Sequence, residues 1–254
     1  MEYFVERDSV VRRIWGRSDI ILFIFAGASA EFALNKAVDW LYFTGKLPSD
    51  PLGRLFSTVS YAREIVFSTR EDAHSAIDKI KNIHQVVEQD RGGKIPDWAY
   101  RDVLFMLIYY SKAAFELLER KMNPQEKEEL YQVFYRVGNR MGLKELPANH
   151  LDWLPVRQSH LEHDLENSHY SIDLFKQYRK HLGTFRYRML IEAQKLVVPG
   201  RVRSLLGFNP VHWLRPSVPV YKLSKNLGLD GMIKDLLLPS DYKTQIQALD
   251  IYPS

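Results

Sequence analysis

Apolar positions recur at helical spacing along most of this chain. Leu52, Leu55, Phe56, Val59, Ala62 and Val66 share one face, which predicts a helix beginning at Pro51. Asp50 offers an N-cap carboxylate, and proline is tolerated at the first helical position because that N–H has no intrahelical partner. Ser68-Thr69-Arg70-Glu71 has the form of a capping box, so a second helix follows at once. Its inward stripe is Ala73, Ala76, Ile77, Ile80, Ile83 and Val87. The rest of the chain is organised around this pair, Asp50 to Glu88.

Other segments follow the same logic. Glu2–Trp15 is a short amphipathic opening, and Ser18 or Asp19 caps a helix expected from Ile20 to about Phe43. Thr44–Ser49 is a loop, and Gln89–Lys94, with Gly92-Gly93, is a mobile connection. Pro96-Asp97 opens a helix to about Lys121, apolar almost all round from Val103 to Tyr110 and therefore central. Asn123-Pro124 with Glu126 starts another, ending at Gly142. Leu143–Pro155 reads as irregular because of Pro147 and Pro155, while Ser171–Leu182 and Thr184–Val198 are helices broken at Gly183. No segment alternates as a strand does. The expected fold is all-α: one large helical domain over residues 1–208, with a C-terminal extension, 209–254, holding five of the 12 prolines and wrapping the body or forming a lid.

Composition narrows the chemistry. With 254 residues, 46% of them hydrophobic and 26% charged, the chain can bury a substantial core as a soluble globule. It has no cysteine, which excludes disulfides, thiolate metal sites and covalent haem attachment. Any haem is then held noncovalently, by His, Tyr or Met. The apolar runs Ile20–Ala30 and Val103–Tyr110 fall short of the ~20 residues that span a bilayer, and Met1–Arg13 lacks a secretory apolar core, so the expected location is cytoplasmic.

Net charge is +4, unevenly spread: Lys176, Arg179, Lys180, Arg186, Arg188, Lys195, Arg201 and Arg203 face Glu192 alone. Three readings stand open: a solvated helical face, peripheral docking to an anionic membrane, or neutralisation of haem propionates. Nucleic acid is not an expected partner, since no binding motif accompanies the charge. Phosphate loops, dinucleotide fingerprints and nucleophile elbows are absent from the sequence.

Four candidates for chemistry remain. His84 lies within the apolar stripe of its helix, where it is either a hydrogen-bonded core histidine or a ligand. Arg54 and Thr58, four apart, share a face with Tyr61 and Ile65, so the guanidinium wants an anion: a haem propionate or a protein carboxylate. Glu31 stands between the small residues Gly27-Ala28-Ser29-Ala30 and the apolar Phe32-Ala33-Leu34, so it needs a partner, Lys36 or a distant arginine, or a shifted pKa. The small residues admit either a close helix or a flat macrocycle. His160 and His163, among Glu162, Asp164 and Glu166, suit a carboxylate-bridged metal site or, the better fit, a solvated helix.

The run Asp39-Trp40-Leu41-Tyr42-Phe43-Thr44-Gly45-Lys46-Leu47-Pro48-Ser49-Asp50-Pro51-Leu52-Gly53-Arg54-Leu55-Phe56-Ser57-Thr58 resembles the rubber oxygenase (latex clearing protein) family, nearest its MpaB-like branch. The similarity continues through Ile83-His84 and Ile95-Pro96-Asp97-Trp98-Ala99-Tyr100-Arg101-Asp102, and weakly to Gly207. The resemblance implies an all-α oxygenase binding haem b, with O₂ as co-substrate, cleaving C=C bonds of isoprenoid or similar apolar chains. By motif, it maps the iron ligand to His84 and the pocket pair to Arg54 and Thr58. Where rubber-cleaving members carry a lysine as second axial ligand, this chain has Ser57. Where relatives carry a Gln-x-x-His-Pro element, it has Glu31 to Asn35, making Glu31 the candidate distal acid or base and Asp39 the runner-up. The competing classes are a non-enzymatic carrier of apolar molecules and a metal–carboxylate enzyme centred on His160 and His163.

Overall fold

The computed structural model describes residues 2–45, 49–211, 213–219 and 221, except for the side chains of Leu41, Leu52, Arg54, Leu55 and Phe56. Ten helices run in order through them: α1 (Val10–Trp15), α2 (Ser18–Phe32), α3 (Asp39–Phe43), α4 (Pro51–Phe67), α5 (Arg70–Arg91), α6 (Asp97–Leu118), α7 (Pro124–Met141), α8 (His150–His163), α9 (His169–Val197) and α10 (Gly200–Leu205). Among the described residues there are only two isolated β-bridges, Tyr3 to Thr69 and Asn35 to Leu165, and no strand. The fold is all-α, with a single domain. Among the same residues, no helix is long and apolar enough to cross a membrane.

The central layer is α2 packed on α6, with α9 packed against α2 as well. Ile20, Ile21 and Ile24 of α2 and Phe105, Ile108 and Tyr110 of α6 are essentially inaccessible. Gly27 is what lets the two axes approach: a Cβ there would fall inside the ring of Tyr110. The small-residue stretch therefore serves helix packing, and its alternative use as a macrocycle floor is not the one the fold makes. The strap before α1 crosses the α4–α5 turn, where Phe4 N–H donates to the Ser68 carbonyl and Arg70 N–H to that of Glu2.

Local signals set most helix ends. Asp50 Oδ1 accepts from Gly53 N–H at 2.8 Å, and Thr69 accepts from Asp72 N–H at 3.2 Å. The second cap is thus Thr69 rather than Ser68, one residue later than the sequence pattern suggests. Asn123 and Glu126 form a reciprocal capping box, and Gly92 and Gly142 close α5 and α7 in the left-handed conformation.

Arg120 adds a second grip on the same carboxylate, both guanidinium nitrogens donating to Glu126. Those bonds, with the Asn123 N–H, pull the Glu126 carboxyl from its ordinary 4.5 to about 2. A folded-state pKa below the unfolded one means stabilisation complete above pH ~4.5 and lost as pH falls toward 2. Urea midpoints measured from pH 6 to pH 2.5 are expected to fall less steeply in Glu126→Gln than in the parent.

Two elements depart from the expected boundaries. The helix from Ile20 stops at Phe32, because the chain there is captured by the end of α8: Lys36 N–H donates to the Asp164 carbonyl and Glu166 N–H to that of Leu34. The expected irregular stretch Leu143–Pro155 ends early, since Asn149 caps α8 and Pro155 sits inside it. α9 runs as one element with the expected break at Gly183 (φ 71°, ψ 169°). Of the C-terminal extension, Val211 accepts from Lys195, and Tyr221 donates to Asp19 at 3.2 Å. Residues 222–254, where the wrap or lid was expected, lie outside the described residues.

Candidate active site

α4 and α5 are antiparallel neighbours joined at Ser68–Thr69. At about 1.5 Å per residue, Arg54 on α4 and His84 on α5 each stand ~20 Å from the turn, so they are level; Thr58 is one helical turn nearer it. Val59, Ala62, Ile65 and Val66 bind α4 to the core, and Ser57 and Thr58 are half-buried. The Arg54 side chain lies outside the described residues.

The stripe of α5 behaves differently along its length. Ala73, Ala76 and Ile77 are buried and Ile80 and Val87 half-buried, but Ile83 is 40% exposed; Val86, outside the stripe, is 53% exposed. His84 is half-buried between these regimes, its ring 5.1 Å from that of Tyr100 on α6. Tyr100 is tied in place, its hydroxyl donating to Glu88 Oε1 at 3.0 Å while Ile95 N–H donates to the same oxygen at 2.9 Å. Burial and the Glu88 carboxylate raise the Tyr100 pKa, so the phenol keeps its proton. His84, Glu88 and Arg91 share one face of α5. Arg91 bonds Asp39 at 2.7 Å and stacks on Trp40 at 4.0 Å, with Phe43, half exposed, at 5.6 Å. Asp39 is thereby committed to holding α3 against α5.

Glu31 is elsewhere. It is wholly buried, and its Oε2 accepts from Tyr110 at 2.8 Å and Arg157 at 2.6 Å. Its partner is a distant arginine, as one of the two sequence alternatives had it. Arg157 also lies 3.5 Å from Asp102, which accepts from Asn35 and faces His160 Nδ1 at 3.4 Å; His160 in turn is 3.1 Å from Asp164. Burial works against the Arg157 charge, but Glu31 more than offsets it and the guanidinium pKa rises. Burial and the same carboxylate push the Tyr110 hydroxyl well above its ordinary value. Tyr100 and Tyr110 are ten residues apart on α6, about 15 Å. The structure therefore brings Arg54, Thr58 and His84 onto one hairpin but does not bring Glu31 to them.

The His160–His163 pair also resolves. His160 points inward to the carboxylates and the arginine, whereas His163 points outward and bonds its own Ser159 carbonyl. Among the described residues no group of three His, Asp or Glu side chains is placed to hold a metal ion, and a guanidinium beside Asp102 disfavours a cation there. His160 belongs to an internal ion network, so that turn of α8 is not a solvated helix.

A surface cavity of about 600 Å³ lies at the far end of α6, lined by Arg7, Arg13, Arg17, Phe115 and Arg120. Phe115 is about 22 Å along α6 from Tyr100, so this charged groove is separate from His84. Residues the sequence reading missed are Tyr100 and Glu88 around His84, and Asp102 and Arg157 around Glu31. Glu88 was accessible as the residue one turn beyond His84. Arg157 lies just past the stretch Leu143–Pro155 that was read as irregular, so no helix was there to aim it inward.

These features define an all-α protein with a half-buried imidazole on the α4–α5 hairpin. Residues 12–222 match the family described as ER-bound oxygenase mpaB/B'/Rubber oxygenase, catalytic domain. That is most of the chain, and the protein belongs to this family of oxygenases. Comparison with curated proteins and with solved structures finds no match.

Proposed function

We propose that the protein is a haem b-dependent oxygenase that uses O₂ to cleave a C=C bond in an isoprenoid or other apolar unsaturated substrate. The observation that carries this reading is His84, half-buried on α5 with its ring against Tyr100 and the apolar Ile83 exposed next to it. The donor set fits the cofactor: one imidazole suffices for an iron already held by a porphyrin, the chain has no thiol, and a flat apolar macrocycle would cover the exposed isoleucine. A bare metal ion fits poorly, since it needs three or four protein ligands.

When bound, the haem supplies the redox chemistry with O₂. The chain supplies the rest. His84 holds the iron, and Tyr100, tied to Glu88, fixes the plane of the imidazole. Arg54, level with His84 across the hairpin, would furnish positive charge for a haem propionate, and Thr58 a hydroxyl one turn away. Ile83, exposed next to His84, contributes to an apolar rim there, which excludes water from an apolar substrate. Glu31, held by Arg157 some 15 Å along α6, acts as a structural counter-ion in this reading rather than as the distal acid or base. The same rim without iron also suits a carrier of apolar molecules.

Squalene under ¹⁸O₂ separates the two readings. The haem-loaded protein is expected to consume oxygen and to yield carbonyl products carrying the label. Colourless protein that copurifies with lipid and yields no labelled carbonyl would support the carrier.

A further inference from the structure

The basic stretch of α9 has a face that neither the fold nor the proposed chemistry uses. At 100° per residue, Ile172, Lys176, Arg179 and Lys180 fall within about 100° of arc, and all four are exposed. Leu174 and Tyr178 on the other side are buried, Tyr178 reaching the Ser29 carbonyl of α2. The helix then kinks at Gly183, where a side chain would meet only open space. Just past the kink, Phe185 is 59% exposed, with Arg188 exposed one turn on; Ile172 is 53% exposed.

Charge is not balanced locally. No acidic residue occurs from Leu174 to Ile191. The flanking acids are engaged elsewhere, Asp173 with the Tyr42 hydroxyl at 3.0 Å and Glu192 with Lys195 at 2.6 Å. None of Lys176, Arg179, Lys180 and Arg188 has an ion-pair partner among the described residues. Ile172 lies exposed among these cations, and Phe185 and Arg188 stand exposed just beyond the kink, so basic and apolar surface adjoin along α9.

We propose that this face of α9 docks the protein on an anionic lipid bilayer, with Phe185 at the kink entering the headgroup layer and Lys176, Arg179, Lys180 and Arg188 pairing with lipid phosphates and carboxylates. The chemistry is that of interfacial binding, in which a small apolar insertion adds to attraction by basic residues. It does not depend on haem.

Sedimentation of the full chain with phosphatidylcholine vesicles, alone or with 30% phosphatidylserine, tests this. Binding is expected only with phosphatidylserine and should weaken as salt is raised. Each neutralised cation is expected to lower the partition coefficient about fivefold, so Arg179→Gln with Lys180→Gln should lower it more than tenfold. Phe185→Ser should lower it several-fold without altering the salt dependence. All three positions are exposed, and circular dichroism confirms folding of each variant. Lys94→Gln with Lys144→Gln, exposed on other faces, should leave binding unchanged. Equal partition onto both vesicle types, or equal loss in the Lys94 and Lys144 control, overturns the proposal. So does tight retention of a single-stranded oligonucleotide with no vesicle binding, which would give the face to another polyanion.

Discussion

Arg157→Ala is expected to destabilise the protein by about 3–5 kcal/mol, read as a lowered denaturant midpoint with an unchanged slope. The pair it breaks, Arg157 with Glu31, has side chains only 4% and 0% exposed. Two charges in that position are costly to dehydrate, so the intact pair adds little over an apolar replacement. Losing one member is another matter, because Glu31 and Asp102 would then share the interior without a cation between them. Tyr110 cannot yield to help, being fixed by its bond to Glu31 and by Gly27 against its ring. Joint replacement, Glu31→Gln with Arg157→Met, is expected to recover a large part of the loss. A full additive loss in the double variant would show the two residues to be uncoupled.

His84→Ala is expected to do the reverse. The ring is half-buried and stacks near Tyr100, so stability should change by no more than about 1–1.5 kcal/mol. Haem retention should be lost outright, since no cysteine exists to replace the ligand and the noncovalent hold rests on that nitrogen. Arg157 and His84 thus separate stability from cofactor binding: a folded but haem-free His84→Ala, against a less stable but haem-competent Arg157→Ala. The ~15 Å between the two clusters along α6 makes the effects independent.

The α4–α5 hairpin was legible because its signals are local. Asp50-Pro51, the capping residues at Ser68-Thr69, off by one position, and the three-and-four spacing of Val59, Ala62 and Val66 each act within a turn or two of helix. So did the capping box at Asn123 and the break at Gly183. What could not be read depended on contacts far apart in sequence. Just past Phe32, where α2 ends, residues at the end of α8, over a hundred positions later, bond the backbone of Leu34 and Lys36. Glu31 was recognisable as a carboxylate in need of a partner, yet which arginine answered it was not, as Arg157 follows a proline that α8 absorbs. The apolar periodicity of α5 likewise gave a continuous inward stripe, whereas the stripe is covered only as far as its neighbours reach. Periodicity reports which residues share a face; it does not report where the covering helix stops. That is why Ile83, next to the proposed iron ligand, read as core although it is 40% exposed.

The most direct measurement is the absorption spectrum of the protein purified from haem-supplied cells, beside that of His84→Ala. The oxygenase reading requires a Soret band near one haem per chain in the parent and none in the variant. A colourless parent, or a band that survives unchanged in His84→Ala, would contradict it.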